Sequence, residues 1–420
     1  MAEAASTIPA RTRAWKRMLR PVWRRTPPAL QLKLGRLAYS AWGLFHMPDY
    51  PGAKVTPRRL MNLYRSRWAH RRLSTRLPSL PVKLTIEPWN VCNLRCPACF
   101  TGLGETGRAK TRMSMQHYRR LLDELGDTLW QVELCNWGEP LLVKDINEMI
   151  RDAHERGIST LLSTNFSLRF DEAAAERLVR SGLSVLGVSI DGARQESYEQ
   201  YRVRGDLALV LRNCALVRDA KKRLQSATPR LVWEYHVFPF NTGEVEAARA
   251  MADELEMEIA VSKGWLIGPD WDPDGACVDP QTTMPMPCSF LWQQAVVDND
   301  GGVAPCCGTF YAEDDMGRLE STPGDGGAAT FREAWNSERY QQGRRFFQSR
   351  TGSPEERKHV CFACPVTVEF ERYRVHVAAG RPAADFRSAA NLHDGFNYFW
   401  SRRPTTAQEP KARRKALSRG

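Results

Sequence analysis

Apolar and polar positions follow two alternating periods through the middle of the chain. Short apolar runs predict strands at 82–87, 131–136, 159–165, 185–191, 230–238 and 258–263, and a period of about 3.6 predicts helices near 115–125, 143–156, 171–181, 206–223 and 243–256. Six successive strand–helix units favour a parallel sheet, either doubly wound or curled into a barrel. In both architectures ligands collect at the carboxyl ends of the strands, so functional side chains are expected there.

The two ends of the chain differ from this middle region. Residues 1–80 have a helical pattern, with an apolar stripe through Trp15, Leu19 and Trp23, and residues 266–330 are rich in Gly, Pro and Asp. The predicted organisation is a basic helical extension at 1–80, a strand–helix domain at 81–265, a small ligand-organised domain at 266–401 and a disordered basic tail at 402–420.

Charge separates the ends from the body. Residues 1–80 contain 17 Lys and Arg against Glu3 and Asp49, a net charge of +15, whereas residues 81–401 contain 36 against 45, a net charge of −9. The high overall pI is therefore no reason to expect the body to bind nucleic acid. Residues 1–80 could pack on the body, contact a membrane surface or, as the least favoured alternative, contact RNA. With no spanning segment or secretion signal recognised, we expect a cytoplasmic protein, membrane-associated if the second alternative holds.

Three cysteines follow the first predicted strand. Cys92, Cys96 and Cys99 form a C-x3-C-x2-C loop. Three thiolates on one short loop can bind three irons of a 4Fe–4S cluster and leave the fourth iron open to a non-protein ligand. A structural zinc site has four protein ligands, and no fourth Cys or His lies nearby in the sequence, so zinc is the less favoured alternative.

This loop resembles the signature of the radical SAM superfamily, where it follows the first strand of a partial (β/α)6 TIM-like barrel. The resemblance implies an α/β fold, a 4Fe–4S cluster coordinated with S-adenosylmethionine, and an external electron donor such as flavodoxin or ferredoxin. It also implies reductive cleavage of S-adenosylmethionine to a 5′-deoxyadenosyl radical, which abstracts a hydrogen atom from the substrate. The residue before the third cysteine, often aromatic in the family, is Ala98 here.

Polar side chains at the ends of the next three strands extend the resemblance. The Gly-Glu-Pro sequence after the second strand resembles the family motif that holds the amino group of S-adenosylmethionine. Residues i and i+2 of a strand share a face, so the polar pairs that end the third and fourth strands each point one way. The candidate cofactor-binding residues are Gly138, Glu139, Pro140, Ser163, Asn165, Ser189 and Asp191.

A second cysteine pattern occupies the C-terminal region. Cys288 and Cys306 frame a C-x12-G-x4-C pattern, and Cys361 and Cys364 form C-x2-C. This resembles the SPASM extension of radical SAM enzymes, or its shorter twitch form. The resemblance implies that these four cysteines bind one auxiliary 4Fe–4S cluster, and a zinc site with the same four thiolates is the alternative.

The remaining positions favour a single auxiliary cluster. The full extension continues with further cysteines where this chain has Phe370 and Arg374. Cys307 is expected to point away from the cluster and Cys214 to lie in the core, while the roles of Cys135 and Cys277 stay open.

The substrate is the least determined feature of the sequence. On the fifth strand, Glu234 and His236 share the face expected to line the barrel, which makes them candidate catalytic residues for hydrogen bonding or proton transfer. Arg202 could meet a carboxylate or cover a surface. The single-cluster pattern favours oxidation or rearrangement of a small molecule, and a glycan or lipid-linked substrate would suit the basic N-terminus. The alternatives are a peptide-modifying maturase and a non-enzymatic iron–sulfur electron carrier.

Overall fold

The computed structural model describes residues 49–264, 287–320 and 330–381. The described residues from Tyr50 onward belong to one compact unit. Three features of the sequence analysis lie outside the described residues. They are the apolar stripe of Trp15, Leu19 and Trp23, the residue Cys277, whose role was left open, and the tail at 402–420.

The strands of the described residues form one nine-stranded sheet. They are β1 (Lys83–Ile86), β2 (Gln131–Glu133), β3 (Ser159–Thr164), β4 (Val185–Ser189), β5 (Arg230–Val237), β6 (Glu258–Lys263), β7 (Gln294–Val297), β8 (Gly302–Ala304) and β9 (Gly317–Arg318). Their order is β6-β5-β4-β3-β2-β1-β7-β8-β9, parallel from β6 to β7 and antiparallel for the last two pairs. The six predicted strands and their parallel arrangement are confirmed.

Helices alternate with the first six strands. The described helices are α1 (Pro57–Arg71), α2 (Phe100–Leu103), α3 (Met115–Leu125), α4 (Ile146–Glu155), α5 (Glu172–Arg180), α6 (Gln195–Tyr201), α7 (Leu207–Arg223), α8 (Val245–Glu254), α9 (Phe290–Gln293), α10 (Phe331–Trp335), α11 (Glu338–Arg345) and α12 (Pro365–Ala378). All five helices predicted between the strands are present, and α2 and α6 are additions. Among the described residues, no helix combines the length and apolar character needed to cross a bilayer.

The two faces of the sheet have different chemistry, and β5 illustrates this. Leu231, Trp233 and Tyr235 are buried in the main hydrophobic cluster. Glu234 and His236 alternate with them and are half-buried on the opposite, inner face. Because side chains of a strand alternate between faces, the apolar set packs on the helices and the polar set lines the barrel interior.

The C-terminal region continues the sheet of the barrel. β7 pairs with the whole of β1, from Lys83 opposite Gln294 to Ile86 opposite Val297. Trp292 and Trp335 of the C-terminal region belong to the same hydrophobic cluster as the barrel core. The sequence pattern predicted a region organised mainly by ligands, whereas the structure shows that it also shares the core.

Helix α1 packs on this part of the molecule. Ser66 donates a hydrogen bond of 2.8 Å to the carbonyl of Trp292, and the Asn62 side chain exchanges two hydrogen bonds of 2.9 Å with the backbone of Leu80. The buried Arg59 guanidinium donates to the carbonyls of Gly126 and Arg156. The described part of the basic extension is therefore fixed to the body through one face of α1.

Candidate active site

The three-cysteine loop connects β1 to α2, and Cys99 is the N-cap of that helix. Backbone amides of Leu94 and Gly102 approach the sulfurs of Cys92 and Cys99 at 3.4 and 3.5 Å. The Asn165 side-chain amide lies 3.5 Å from the Cys92 sulfur. Hydrogen bonds to sulfur stabilise a thiolate and tune a bound iron–sulfur cluster.

Burial makes these thiols hard to ionise. It raises the pKa of Cys92 and of Cys96 to about 12, and it also raises the pKa of Cys99. Three buried thiolates therefore need cations beside them, which the irons of a cluster supply. No three His, Cys, Asp or Glu side chains of the described residues lie close enough to share one metal ion. A four-iron cluster binds each thiolate through a different iron, so it does not require that spacing. The donors present fit a 4Fe–4S cluster.

A buried carboxylate that the sequence analysis missed joins this loop to the Gly-Glu-Pro segment. Glu87 directly follows β1 and accepts hydrogen bonds from the backbone amides of Trp137 and Gly138, the latter at 2.8 Å. Burial raises the pKa of Glu87 to about 7, although these amides oppose the shift. The signal available in the sequence was a glutamate as the last residue of the predicted strand 82–87. Gly138 lies so close to the loop that an added Cβ would stand 1.9 Å from the carbonyl oxygen of Trp89.

We therefore expect Gly138→Ala to weaken binding of S-adenosylmethionine to the reconstituted protein. An extra methyl group in such a packed site destabilises the local fold by about 1–3 kcal/mol, so the segment should shift away from the loop and lose affinity for the cofactor. Equilibrium dialysis with labelled S-adenosylmethionine measures this. Gly243→Ala is the matched control, because its added Cβ meets nothing within 4 Å. Equal affinities of the two variants would contradict the placement of the cofactor against this segment.

Glu139 links the Gly-Glu-Pro segment to the end of β3 through hydrogen bonds. Its carboxylate accepts hydrogen bonds from the Thr164 hydroxyl at 2.6 Å and from the backbone amides of Asn165 at 2.8 Å and Leu141 at 3.0 Å. Pro140 then begins a 3-10 turn, Pro140–Leu142. Since Asn165 also touches the Cys92 sulfur, the structure brings the predicted Gly-Glu-Pro segment and the end of β3 together beside the cysteine loop.

Asp191, after β4, is fully buried between two partners. It accepts a hydrogen bond of 2.6 Å from Arg202 Nε and two from His236, at 2.7 Å from the backbone amide and 2.9 Å from Nδ1. Burial raises the pKa of Asp191, but Arg202 and His236 outweigh burial, and its pKa is lowered. Arg202 thus meets a carboxylate, one of the two alternatives left open by the sequence. The ionised Asp191 orients the His236 ring so that Nε2 points away from the carboxylate.

Ser163 and Ser189 meet Glu234 deeper inside the barrel. The Glu234 Oε2 atom accepts hydrogen bonds from Ser163 Oγ at 2.6 Å and from Ser189 Oγ at 3.1 Å. Its Oε1 atom lies across Gly187, where an added Cβ would stand only 2.4 Å away. The two serines, predicted as cofactor contacts, therefore touch one of the predicted catalytic residues.

Further polar groups on the inner face were not predicted. Lys83 Nζ forms a 2.7 Å ion pair with Glu133, which also accepts a 3.1 Å hydrogen bond from Thr85. The Cys135 sulfur accepts the backbone N–H of Ser163 at 3.2 Å. These residues are separated in sequence by up to 80 positions, and only the sheet register shows that they share one cavity wall.

The four C-terminal cysteines form a second thiol group. Burial raises the pKa of Cys288 to about 12 and that of Cys306, Cys361 and Cys364 as well, and neighbouring thiols add to the rise for Cys288, Cys306 and Cys361. The neighbouring Cys307 also acts on the pKa of Cys288 and Cys306, and Glu133 and Lys83 of the barrel are among the charges that act on Cys307 itself. The four thiol donors fit a closed auxiliary cluster.

The two thiol groups lie off opposite ends of β1. Cys92 follows the carboxyl end of β1. Cys288 precedes β7, which runs parallel to β1, and Cys306 follows the antiparallel β8, so both lie toward the other end. Four residues of extended strand span about 13 Å. The polar inner face described above lies between the two groups.

The segment from Cys306 to Tyr311 returns along the barrel to the three-cysteine loop. Phe310 stacks on Phe100, the residue after Cys99, with ring centroids 5.1 Å apart. Trp137 Nε1 donates a 3.0 Å hydrogen bond to the carbonyl of Thr309. The C-terminal region therefore contacts both the cysteine loop and the Gly-Glu-Pro segment directly.

Sequence comparison agrees with this geometry. A model of the radical SAM superfamily matches residues 86–232, and a model of the SPASM iron–sulfur cluster-binding domain matches residues 288–365. The chain is a radical SAM superfamily enzyme with a C-terminal SPASM domain. The first range contains the three-cysteine loop and the second contains the four C-terminal cysteines, which confirms the predicted family and fold.

Curated relatives of this radical SAM enzyme match it over part of their length. The PqqA peptide cyclase of Rhodopseudomonas palustris is 33% identical over 190 residues, 45% of this chain and 49% of the relative. The Fe-coproporphyrin III synthase of Methanosarcina barkeri is 32% identical over 138 residues, 31% and 34% of the two chains. The chain thus spans between a third and a half of these relatives. The crystal structure of Streptococcus suis SuiB has a TM-score of 0.50 at 13% identity, covering 75% of this chain and 78% of that one, and shows the same fold.

Proposed function

We propose that this radical SAM enzyme modifies a peptide by abstracting a hydrogen atom from one of its residues. The observation that carries the proposal is the polar barrel interior between the two thiol groups, with Glu234 held by Ser163 and Ser189. When bound, the cluster on Cys92, Cys96 and Cys99 would supply the electron that converts S-adenosylmethionine into methionine and a 5′-deoxyadenosyl radical. A substrate bound in the barrel interior would lie between the two thiol groups.

The residues of the chain position this chemistry. Glu87 and Glu139 hold the Gly-Glu-Pro segment against the cysteine loop, where the amino group of S-adenosylmethionine would bind. Asp191 fixes the imidazole of His236, whose Nε2 can accept or donate a proton at the substrate. Oε1 of Glu234 can accept a hydrogen bond from a substrate N–H, because only Oε2 is used by the two serines.

Peptide modification replaces the small-molecule, glycan or lipid-linked substrate as the favoured hypothesis. Relatives named as PqqA peptide cyclase and mycofactocin maturase support it, the latter from Mycobacterium ulcerans at 28% identity over 185 residues. The alternative of an iron–sulfur electron carrier without catalytic activity is set aside, because the chain is a radical SAM enzyme.

We also propose that the C-terminal region binds a single auxiliary cluster. Phe370 is buried in the main core and packs on Phe347, with centroids 5.6 Å apart. Arg374 donates a 3.1 Å hydrogen bond to the carbonyl of Phe347. The two positions that would bear further ligands are thus engaged in packing α12. Cys288, Cys306, Cys361 and Cys364 would hold this cluster, which would supply a site for one-electron transfer when bound.

Deuterium transfer tests the peptide proposal. The anaerobically reconstituted full-length protein is incubated with dithionite, S-adenosylmethionine and uniformly deuterated peptides translated from reading frames beside its gene. We expect deuterium in 5′-deoxyadenosine and a changed peptide mass. Glu234→Gln should lower peptide turnover by roughly tenfold to a hundredfold, since a hydrogen bond to a charged group contributes about 1.5–3 kcal/mol.

The control for that variant is Glu258→Gln, which changes an exposed glutamate at the start of β6. Both variants should retain slow cleavage of S-adenosylmethionine without substrate. If no peptide transfers deuterium while a deuterated small-molecule or lipid extract does, the peptide class is wrong and the radical chemistry stands.

A further inference from the structure

The outer face of α1 carries an exposed stripe of alternating basic and apolar residues. Its members are Arg58, Met61, Arg65, Trp68 and Arg72, which we call the outer stripe. Their spacing of three and four residues places them on one side of the helix. The opposite side, which includes Leu63 and Ser66, is buried against the body.

The exposed large hydrophobic side chains are concentrated on α1 and just before it. Among the described residues, the large hydrophobic side chains with the greatest exposure are Val55 at 57%, Met61 at 52%, Trp68 at 50% and Val375 at 60%. Three of these four lie on α1 or just before it. The Arg72 guanidinium stands over the Trp68 ring at 4.6 Å from its centroid. Large apolar groups that stay exposed together on one helix indicate a contact surface.

Charge identifies the partner. Residues 50–76 contain eight Lys and Arg and no Asp or Glu, of which Arg58, Arg65 and Arg72 are exposed on the outer stripe. Arg58 pairs with Asp127, which leaves Arg65 and Arg72 as the cations that alternate with Met61 and Trp68. Residues 1–48 of the same chain contain nine Lys and Arg against Glu3, so charge repulsion disfavours that segment as the occupant of this face.

We infer that the outer stripe docks the enzyme on an anionic lipid surface, with α1 lying in the plane of the membrane. Trp68 and Met61 enter the boundary between head groups and acyl chains, and Arg65 and Arg72 contact lipid phosphates. Because the opposite face of α1 is fixed to the body by Ser66 and Asn62, the contact sets the orientation of the whole barrel. This inference is independent of the peptide proposal.

Vesicle co-sedimentation of the full-length protein tests it. We expect binding to vesicles of phosphatidylcholine mixed with phosphatidylglycerol, and little binding to pure phosphatidylcholine. High salt should release the protein, because exposed charge contacts are screened. Replacing both Arg65 and Arg72 with Gln should weaken binding roughly thirtyfold, since each basic residue near such a surface contributes about fivefold. The double change Met61→Ser and Trp68→Ser should also weaken binding.

Two variants make the test specific. Val375→Ser removes an equally exposed apolar side chain from α12 and should leave vesicle binding unchanged. Arg24→Gln with Arg25→Gln removes the same charge as the Arg65 and Arg72 pair from the preceding segment. The inference is overturned if the variant with Arg24→Gln and Arg25→Gln loses vesicle binding while the outer-stripe variants keep it. It is also overturned if the full-length protein does not bind anionic vesicles at low salt. Capture of an acidic protein without vesicle binding would also overturn it. Uncoupled cleavage of S-adenosylmethionine, unchanged in all variants, shows that the fold is intact.

Discussion

Cys96→Ala should reduce formation of 5′-deoxyadenosine to the background level. Cys96 is the most buried of the three loop cysteines, and Leu94, Tyr201 and Phe238 pack around it. Losing one of three thiolate ligands leaves a second iron without a protein ligand, so the cluster is no longer held in one geometry. The measurement is chromatographic quantification of 5′-deoxyadenosine after anaerobic reconstitution and reduction, without added substrate.

Cys214→Ala is the matched control for this experiment. Cys214 is as buried as Cys96, but it lies in α7 within the main core, away from both thiol groups. Replacing it removes a small buried side chain and should leave cofactor cleavage intact. Cleavage by Cys96→Ala at the wild-type rate would show that the radical chemistry starts elsewhere.

The barrel was predictable from sequence because each strand and helix has its own local pattern. In β5, strict alternation of Trp233 and Tyr235 with Glu234 and His236 fixes which residues face inward. β7 was missed because it lies in the region 266–330, which is rich in Gly, Pro and Asp and shows no regular alternation of strands and helices. Its partner, β1, lies about 210 positions earlier in the chain.

Sequence patterns predicted candidate residues where a short motif or the alternation of a strand marks them. The cysteine loop and the Gly-Glu-Pro segment are each one continuous stretch of sequence, and both were found. Asp191 pairs with His236 across β4 and β5 and with Arg202 eleven positions later in the chain. Sequence spacing shows neither contact, so it left the role of Arg202 open. Arg108 is a stronger example: it is buried and pairs with Asp300 and Asp315, about 200 positions away, and no local pattern marks it.

The auxiliary site gives the second large expected effect. Wild-type protein should contain about eight irons per chain, because seven thiolate ligands correspond to two four-iron clusters. Replacing Cys92, Cys96 and Cys99 together with Ala should leave about four irons, bound by the C-terminal cysteines. The measurement is a colorimetric iron assay normalised to protein concentration, together with the visible absorption of the cluster.

Cys306→Ala and Cys307→Ala, each made in the triple-Ala background, then separate two adjacent thiols. Besides burial, the charges of Cys307, Cys288, Cys364 and Cys361 raise the pKa of Cys306, whereas Glu133 and Lys83 of the barrel act on Cys307. We therefore expect Cys306→Ala to lose the remaining iron and Cys307→Ala to keep it. Zinc in place of iron in the triple variant would contradict an auxiliary cluster. Loss of iron from Cys307→Ala alone would exchange the roles of the two neighbours, and Cys306 would then be the thiol that faces the barrel interior.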